Sequence, residues 1–447
     1  MRQDVFTKYS VPHAVAAMAI PTVLSMLVTI IYNMADTYFV GQTGDPAQVA
    51  AVSVATPVFT FMLAFSNIFG IGGSTFISRA LGAGEGEKAK EVSSFCFYAL
   101  VVTALLITGV LLIGMPWILK WIGTDENTVG FAEDYIKVLA YGSVPMLLSF
   151  AYGNIVRGEG ASGVAMVGMM MGTVINIIFD PIMILGMKLG VTGAALATVL
   201  GNLCAALFYL IYIAKGKTLL SVSPKCLKGV NGIFGGVFKI GIPASLNNML
   251  MSVSSIVMNN FLVVYSTNAV AAMGIAMKAN MLVIFLQMGI AMGIGPLIGF
   301  CYGAKMFDRL KKIMRFSMLC NFVLGSVLTA LYFVKTEWIV ERFISDPAVV
   351  SYGITMLRAL MMAGPFIGIM FVFTFSFQAM GKGKESLILS AARQGLVFFP
   401  VLVVGDLFFG LEGLVYAQPL ADFFCLLLSI GMFLVFLHSV KKEPLAE

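Results

Sequence analysis

Twelve long apolar stretches leave this chain few ways to fold: residues 13–40, 47–79, 90–114, 130–156, 161–187, 191–214, 234–264, 268–301, 313–334, 348–378, 385–405 and 413–438. A helix rises about 1.5 Å per residue, so stretches of this size cross the roughly 30 Å of bilayer hydrocarbon. Period-2 alternation is missing from them, which disfavours a transmembrane barrel and leaves helices as the backbone that satisfies its own polar groups in lipid. Composition agrees, because 59% of the 447 residues are hydrophobic, only 11% are charged and the mean hydropathy is +0.95. That balance lies far from a soluble domain. The first stretch follows Arg2 and Lys8 as a signal sequence would, but it is longer than a signal core and lacks a small-x-small cleavage site before Asn33 and Asp36. It is expected to remain as the first span of an all-α integral membrane protein.

Charge sets the expected orientation. The amino terminus, the even-numbered loops and the carboxyl tail together hold eighteen Lys and Arg, whereas the odd-numbered loops hold only Lys120, Lys188, Lys335 and Arg342. Positive loops stay in the cytoplasm, so both termini are expected inside. The net charge of +6 is then a topology signal, and nucleic-acid binding need not be invoked. The six cysteines fall in apolar runs or on the cytoplasmic side with no metal-site spacing, so neither disulfides nor a zinc site is expected.

The chain also repeats itself. Slid by about 221 residues, Ile20-Pro21 meets Ile242-Pro243, Gly72 meets Gly293, Gly82-Ala83 meets Gly303-Ala304, and Gly190 and Gly193 meet Gly410 and Gly413. Each half carries an even number of crossings, so both enter from the same face and the relating axis runs along the membrane normal. The expected division is an amino-terminal six-helix lobe over 1–214, a polar cytoplasmic linker over 215–233 and a carboxyl-terminal six-helix lobe over 234–447, two pseudo-symmetric lobes in all. Two such bundles around a cleft suit alternating access by a carrier.

Of 22 acidic residues, three lie well inside apolar runs: Asp36 on the first span, Asp180 on the fifth and Asp422 on the twelfth. A charge at the bilayer centre costs a few kcal/mol even on the lenient scale of about 2.5–3.5 kcal/mol, so a functional reading is the default; the other reading is a position in the headgroups at the end of a span. Asn33 precedes Asp36 by three residues and Asn176 precedes Asp180 by four, spacings that share a helical face. Thr198 and Asn202 share a face of the sixth span, and an offset of 220 carries them onto Gln418 and Asp422. Asn202 and Gln418 also read as plain interhelical hydrogen-bonding groups. Two nearby carboxylates in a low dielectric need a cation between them. Carboxylate, amide and hydroxyl oxygens serve Na⁺ and a proton relay alike, which leaves the coupling ion open. Lys278, Arg358 and Arg393 are the cationic counterparts in the second half, read as holding counter-ions, structural partners such as Asp422, or anionic substrate groups.

Several segments, taken together, resemble the multidrug and toxic compound extrusion (MATE) family over nearly the whole chain. They are Asp36-Thr-Tyr-Phe-Val-Gly41, the stretch ending Arg79-Ala-Leu-Gly-Ala-Gly84, Asn176-Ile-Ile-Phe-Asp180-Pro181, Gly193-Ala-Ala-Leu-Ala-Thr198, and Gly299–Gly303 with Ala304. The resemblance implies a bacterial inner-membrane exporter of small cationic, amphipathic compounds in exchange for H⁺ or Na⁺, monomeric and without a cofactor. It also implies a cation site, for a proton or Na⁺, at Asp36, Asn176, Asp180 and Thr198, and a bending proline at Pro21. Acids that the sodium-coupled branch carries on its seventh and tenth helices have no counterpart among Asn247, Asn248, Asn259 or Arg358. Asp422 stands where a relative carries Glu, and is expected to help recognise cationic substrate, with Asn33, Asn202, Gln418, Lys278 and Arg393 as further cavity candidates.

A lipid-linked oligosaccharide flippase of the same superfamily would show the same helices and buried cations. An integral-membrane enzyme fits poorly, since His13 and His438 are the only histidines and no nucleophile or metal signature falls in a span. A channel fits poorly too, for want of a repeated pore loop or charged ring.

Overall fold

The computed structural model describes residues 4–442 except 217, 230, 231 and 345; the side chains of Asn33, Asp36, Thr37, Lys228 and the residues beyond His438 also lie outside the described residues. Helices account for nearly all of it. They are α1 (Val11–Gly41), α2 (Pro46–Gly82), α3 (Gly86–Ile113), α4 (Val129–Tyr141 and Ser143–Gly158), α5 (Ser162–Pro181), α6 (Gly190–Ala214), α7 (Ile233–Tyr265) and α8 (Thr267–Gly293 with Gly295–Gly303). α9 follows as Phe307–Glu341 and α10 as the bent pair Pro347–Met362 and Gly364–Ala379. Starts are fixed locally: Asp45 accepts the Ala47 N–H at 2.9 Å ahead of Pro46, and at the repeat-related position Ser266 accepts the Asn268 N–H at 3.0 Å.

Nine described helices are long and apolar enough to span, or eleven when each of the two bent pairs counts as one span. The last of these, Gly383–His438, has 56 residues, which at about 1.5 Å each is far too long for one crossing. It folds back at Gly410, whose φ of 58° and ψ of −135° no helix holds. Across this break Gly405 and Gly413 pack backbone to backbone; a Cβ on Gly413 would stand 2.0 Å from the Gly405 carbonyl oxygen. The hairpin yields α11 (383–409) and α12 (411–442), and with them the twelve spans read in the sequence.

By internal packing the chain forms two compact units: Met1–Tyr9, Leu24–Ser245 and Gly299–Lys305 in one, Ser10–Val23, Leu246–Ile298 and Met306–Glu447 in the other. The opening segments of α1 and α7 are therefore exchanged. In the first unit α7 lies in a notched face of α2, where a Cβ on Gly241 would meet the Ile68 carbonyl oxygen at 2.0 Å and one on Gly72 the Val237 carbonyl oxygen at 2.3 Å. In the second, α1 lies on α8 at Gly289 beside Val23 and at Gly293 beside Ala19. Gly72 and Gly293 are repeat mates, so the glycines that betray the duplication are the ones that let these helices approach.

The polar segment after α6 is laid along the first unit. Ser94 and Tyr98 donate to the carbonyls of Ser221 and Val222 at 3.0 and 3.1 Å, and the buried Glu159 carboxylate accepts from the Thr218 hydroxyl at 2.5 Å and the Leu219 N–H at 3.1 Å. Outward faces are apolar: Leu105, Leu106, Val110 and Ile113 of α3 are exposed, as a bilayer-facing helix requires, and Trp117, Trp121 and Trp338 are exposed as well.

Candidate functional site

Small residues bring α5 and α6 together. A Cβ on Gly201 would lie 2.4 Å from the Gly172 carbonyl oxygen, and one on Gly193 2.8 Å from the Met183 backbone. Between these two close approaches the helices face each other with Asn176 and Asp180 on one side and Thr198 on the other, all buried, Asp180 to 0% exposure.

The Asn176 amide links them. With its nitrogen turned to Oδ2 of Asp180 at 3.1 Å, its oxygen accepts the Thr198 N–H at 3.1 Å, and both ends are matched. The opposite orientation would set the amide oxygen against the carboxylate and its nitrogen against the Thr198 N–H, so only the first satisfies both ends.

Tyr32 of α1 adds a hydroxyl 3.3 Å from that of Thr198. Sequence reading missed it, although it stands one turn before Asp36 on the same helix. Asn202 turns back on its own helix and donates to the Thr198 carbonyl at 2.8 Å. The side chains of Asn33 and Asp36 lie outside the described residues. After Pro181 the helix continues as a single π-turn, Ile182–Gly186, a feature frequent at functional sites.

The second unit carries another buried polar cluster. Arg393 sits in a π-turn of α11, Ala392–Leu396, and its Nε donates to Oδ1 of Asp422 at 2.7 Å; the two side chains are 7% and 4% exposed. Gln418 donates to the same oxygen at 3.0 Å, and the guanidinium carbon stands 5.2 Å from the centre of the Phe371 ring. Ser254 of α7 donates to the Gln394 carbonyl inside the π-turn. The cluster borders a cavity of about 120 Å³ walled by Met251, Met258, Met273, Met277 and Asn280. Of the two other cationic candidates, Lys278 and Arg358, both are exposed and neither lines this cavity. Among the described residues, no three His, Cys, Asp or Glu side chains gather as a metal site.

Comparison with known proteins follows the internal repeat. The MatE family profile matches residues 21–182 and again 243–404. The chain is 33% identical over 446 residues to the multidrug export protein MepA of Staphylococcus saprophyticus, covering 99% of this chain and 98% of that protein. It is 33% identical over 425 residues to MepA of Staphylococcus aureus, covering 95% and 94%. Among solved structures, the fold superposes on a MATE crystallised in complex with MaL6 at a TM-score of 0.94, with 24% identity and 99% of both chains covered. An outward-facing multidrug resistance MATE transporter of the MOP superfamily superposes at 0.93 with 24% identity, covering 99% of this chain and 98% of that one.

Proposed function

The chain belongs to the MatE family, a family of membrane transporters and not enzymes, and from that premise we propose that it is a secondary antiporter that exports cationic, amphipathic compounds in exchange for H⁺ or Na⁺ by alternating access. Asp180 carries this reading. A carboxylate with no exposed surface, at the depth of a membrane span, is stable only with partners or a bound cation. Asn176, Thr198 and Tyr32 supply neutral polar groups around it, and the sequence places Asp36 one turn beyond Tyr32.

In the proposed cycle a cation arriving from outside neutralises the amino-lobe carboxylates, and the site can then be closed off from water. Cation release on the inner face restores the charge, and the cost of burying that charge drives the site open again. A ligand can shift a conformational equilibrium only by its differential affinity for the two states, and the difference between a wet and a dry carboxylate supplies it. Pro21, which removes a backbone donor from α1, is the proposed hinge. Asn33 and Asn202, each one turn from a member of the cluster, are the proposed substrate contacts. Both termini face the cytoplasm of a bacterial inner membrane in this scheme, as the lysine and arginine count implies.

Purified protein in liposomes loaded with ethidium, with ΔpH and Na⁺ gradients imposed separately, tests the reading. At least one gradient drives dye movement, and Asp36→Asn or Asp180→Asn abolishes it. Dye movement indifferent to both gradients would refute antiport.

A further inference from the structure

The carboxyl-lobe cluster has the parts of a cation site with one difference: a cation is already built in. Oδ1 of Asp422 receives two N–H donors, Arg393 Nε at 2.7 Å and Gln418 Nε2 at 3.0 Å. The guanidinium is held from a second side by the Phe371 ring and is 7% exposed, so it has little freedom to leave. Its position depends on the π-turn Ala392–Leu396, which inserts one extra residue into the helical turn and re-aims Arg393. An arginine stays protonated at any pH a cell meets.

We propose that Arg393 is a tethered counter-cation that keeps Asp422 permanently paired, so that the carboxyl lobe neither takes up nor releases H⁺ or Na⁺ and presents its methionine-lined cavity to substrate as an electrically neutral surface. A proton on Asp422 would break a buried charge-assisted hydrogen bond and strand the guanidinium, and Na⁺ would have to displace it. Both are opposed by the cost of leaving a buried charge without its partner. The other groups around Asp422 offer no substitute. α7 contributes Met251, Ser254 and Ser255, α8 contributes Met273 and Asn280, and α10 contributes Leu360, none of which carries charge. Among the described residues, Cys425, buried on α12 and within electrostatic reach of both Asp422 and Arg393, is the other titratable group beside the pair. The neutral cavity also bears on the expected role of Asp422 in recognising cationic substrate: a carboxylate already matched by a guanidinium adds little attraction for a second cation.

The inference rests on the antiport reading only in taking H⁺ and Na⁺ as the ions that matter. Its test is read at equilibrium, so a failed transport assay would leave it standing. The full-length protein is purified in detergent and its thermal midpoint measured across about pH 6 to 9, with NaCl or choline chloride at matched ionic strength, for wild type, Asp422→Asn, Arg393→Lys, Arg393→Gln and the double variant Arg393→Gln/Asp422→Asn. Asp422→Asn and Arg393→Lys are expected to keep the wild-type response to both ions. Arg393→Gln is expected to gain an added pH- or Na⁺-dependent shift of roughly 3 °C or more, lost again in the double variant. A wild-type response in Arg393→Gln, or loss of the wild-type response in Asp422→Asn, overturns the proposal. Should Arg393→Gln fail to fold, Asp422→Asn and Arg393→Lys decide alone: retained response in both supports it, loss in either overturns it.

Discussion

Asp180 and Asp422 are both buried aspartates that take a hydrogen bond from an amide four residues earlier on the same helix, yet the further groups described beside them differ in kind. Among the described side chains, Asp180 shares its amide with Thr198, whose hydroxyl meets that of Tyr32, all of them neutral groups. Oδ1 of Asp422 accepts both from its amide, Gln418, and from Arg393, a fixed charge. The two are not repeat mates either, since an offset of 220 carries Asp180 onto Pro400 and Asp422 back onto Asn202. Duplication kept the helices and the glycine notches, while the position of the acid and the nature of its partner drifted apart. On the proposed reading, the difference is that one lobe exchanges its counter-ion and the other keeps it.

The comparison is tested most severely by removing each carboxylate. Asp180→Asn should reduce gradient-driven dye transport in liposomes to the protein-free leak, whereas Asp422→Asn, although less stable because it strands the Arg393 guanidinium, should keep its dependence on the gradient; equal loss of gradient dependence from both in folded protein would erase the distinction. Next in size is the effect of stranding a charge. Arg393→Gln leaves Asp422 buried without its cation and is expected to cost about 3–5 kcal/mol of stability, most of it recovered in the double variant with Asp422→Asn, as thermal unfolding would report. A full-sized loss persisting in the double variant would mean that Arg393 acts through packing.

Gly201→Val comes third. Its new side chain would collide with the Gly172 carbonyl and push α6 off α5, costing about 1–3 kcal/mol and weakening cation dependence in transport as Asn176 and Thr198 part. Tyr32→Phe removes one hydroxyl near Thr198, worth about 0.5–1.5 kcal/mol. The expected result is a few-fold change in the pH or Na⁺ midpoint of transport, with the maximal rate kept.

The smallest effect belongs to a carboxylate outside the spans. The Thr128 hydroxyl, 2.7 Å from Asp125, with the Thr128 N–H at 2.8 Å, holds that carboxyl below its usual range. A depressed folded-state value stabilises the protein above the unfolded pKa of about 3.9 and loses that contribution as the pH falls through the folded value. Thr128→Val should therefore lower the thermal midpoint slightly at neutral pH, by an amount that vanishes in strong acid, and leave transport unchanged.

Much of this was legible in the sequence because a bilayer imposes a simple rule on a chain. The twelve spans follow from apolar length, the repeat from sliding the chain on itself, and the pairs Asn176/Asp180 and Thr198/Asn202 from helical spacing, while the family resemblance is what joined Asn176, Asp180 and Thr198 into one set. The hairpin at Gly410 also had a signal, the pairing of Gly410 and Gly413 with Gly190 and Gly193. Tyr32 was missed because a tyrosine in an apolar run reads as packing, and nothing in its spacing says that its hydroxyl reaches the sixth span. Arg393 was one of three cationic candidates, and only the π-turn, which has no sequence signature, singles it out from the exposed Lys278 and Arg358. The exchanged openings of α1 and α7 were hidden too, because span counting follows the chain while packing follows neighbours.

Direct evidence would come from cation release on substrate binding. Purified protein is mixed with ethidium in weak buffer, and protons or Na⁺ set free are counted with ion-sensitive probes. The account predicts that wild type and Asp422→Asn release the same number of cations per dye bound and that Asp180→Asn releases fewer. Undiminished release from Asp180→Asn would contradict it.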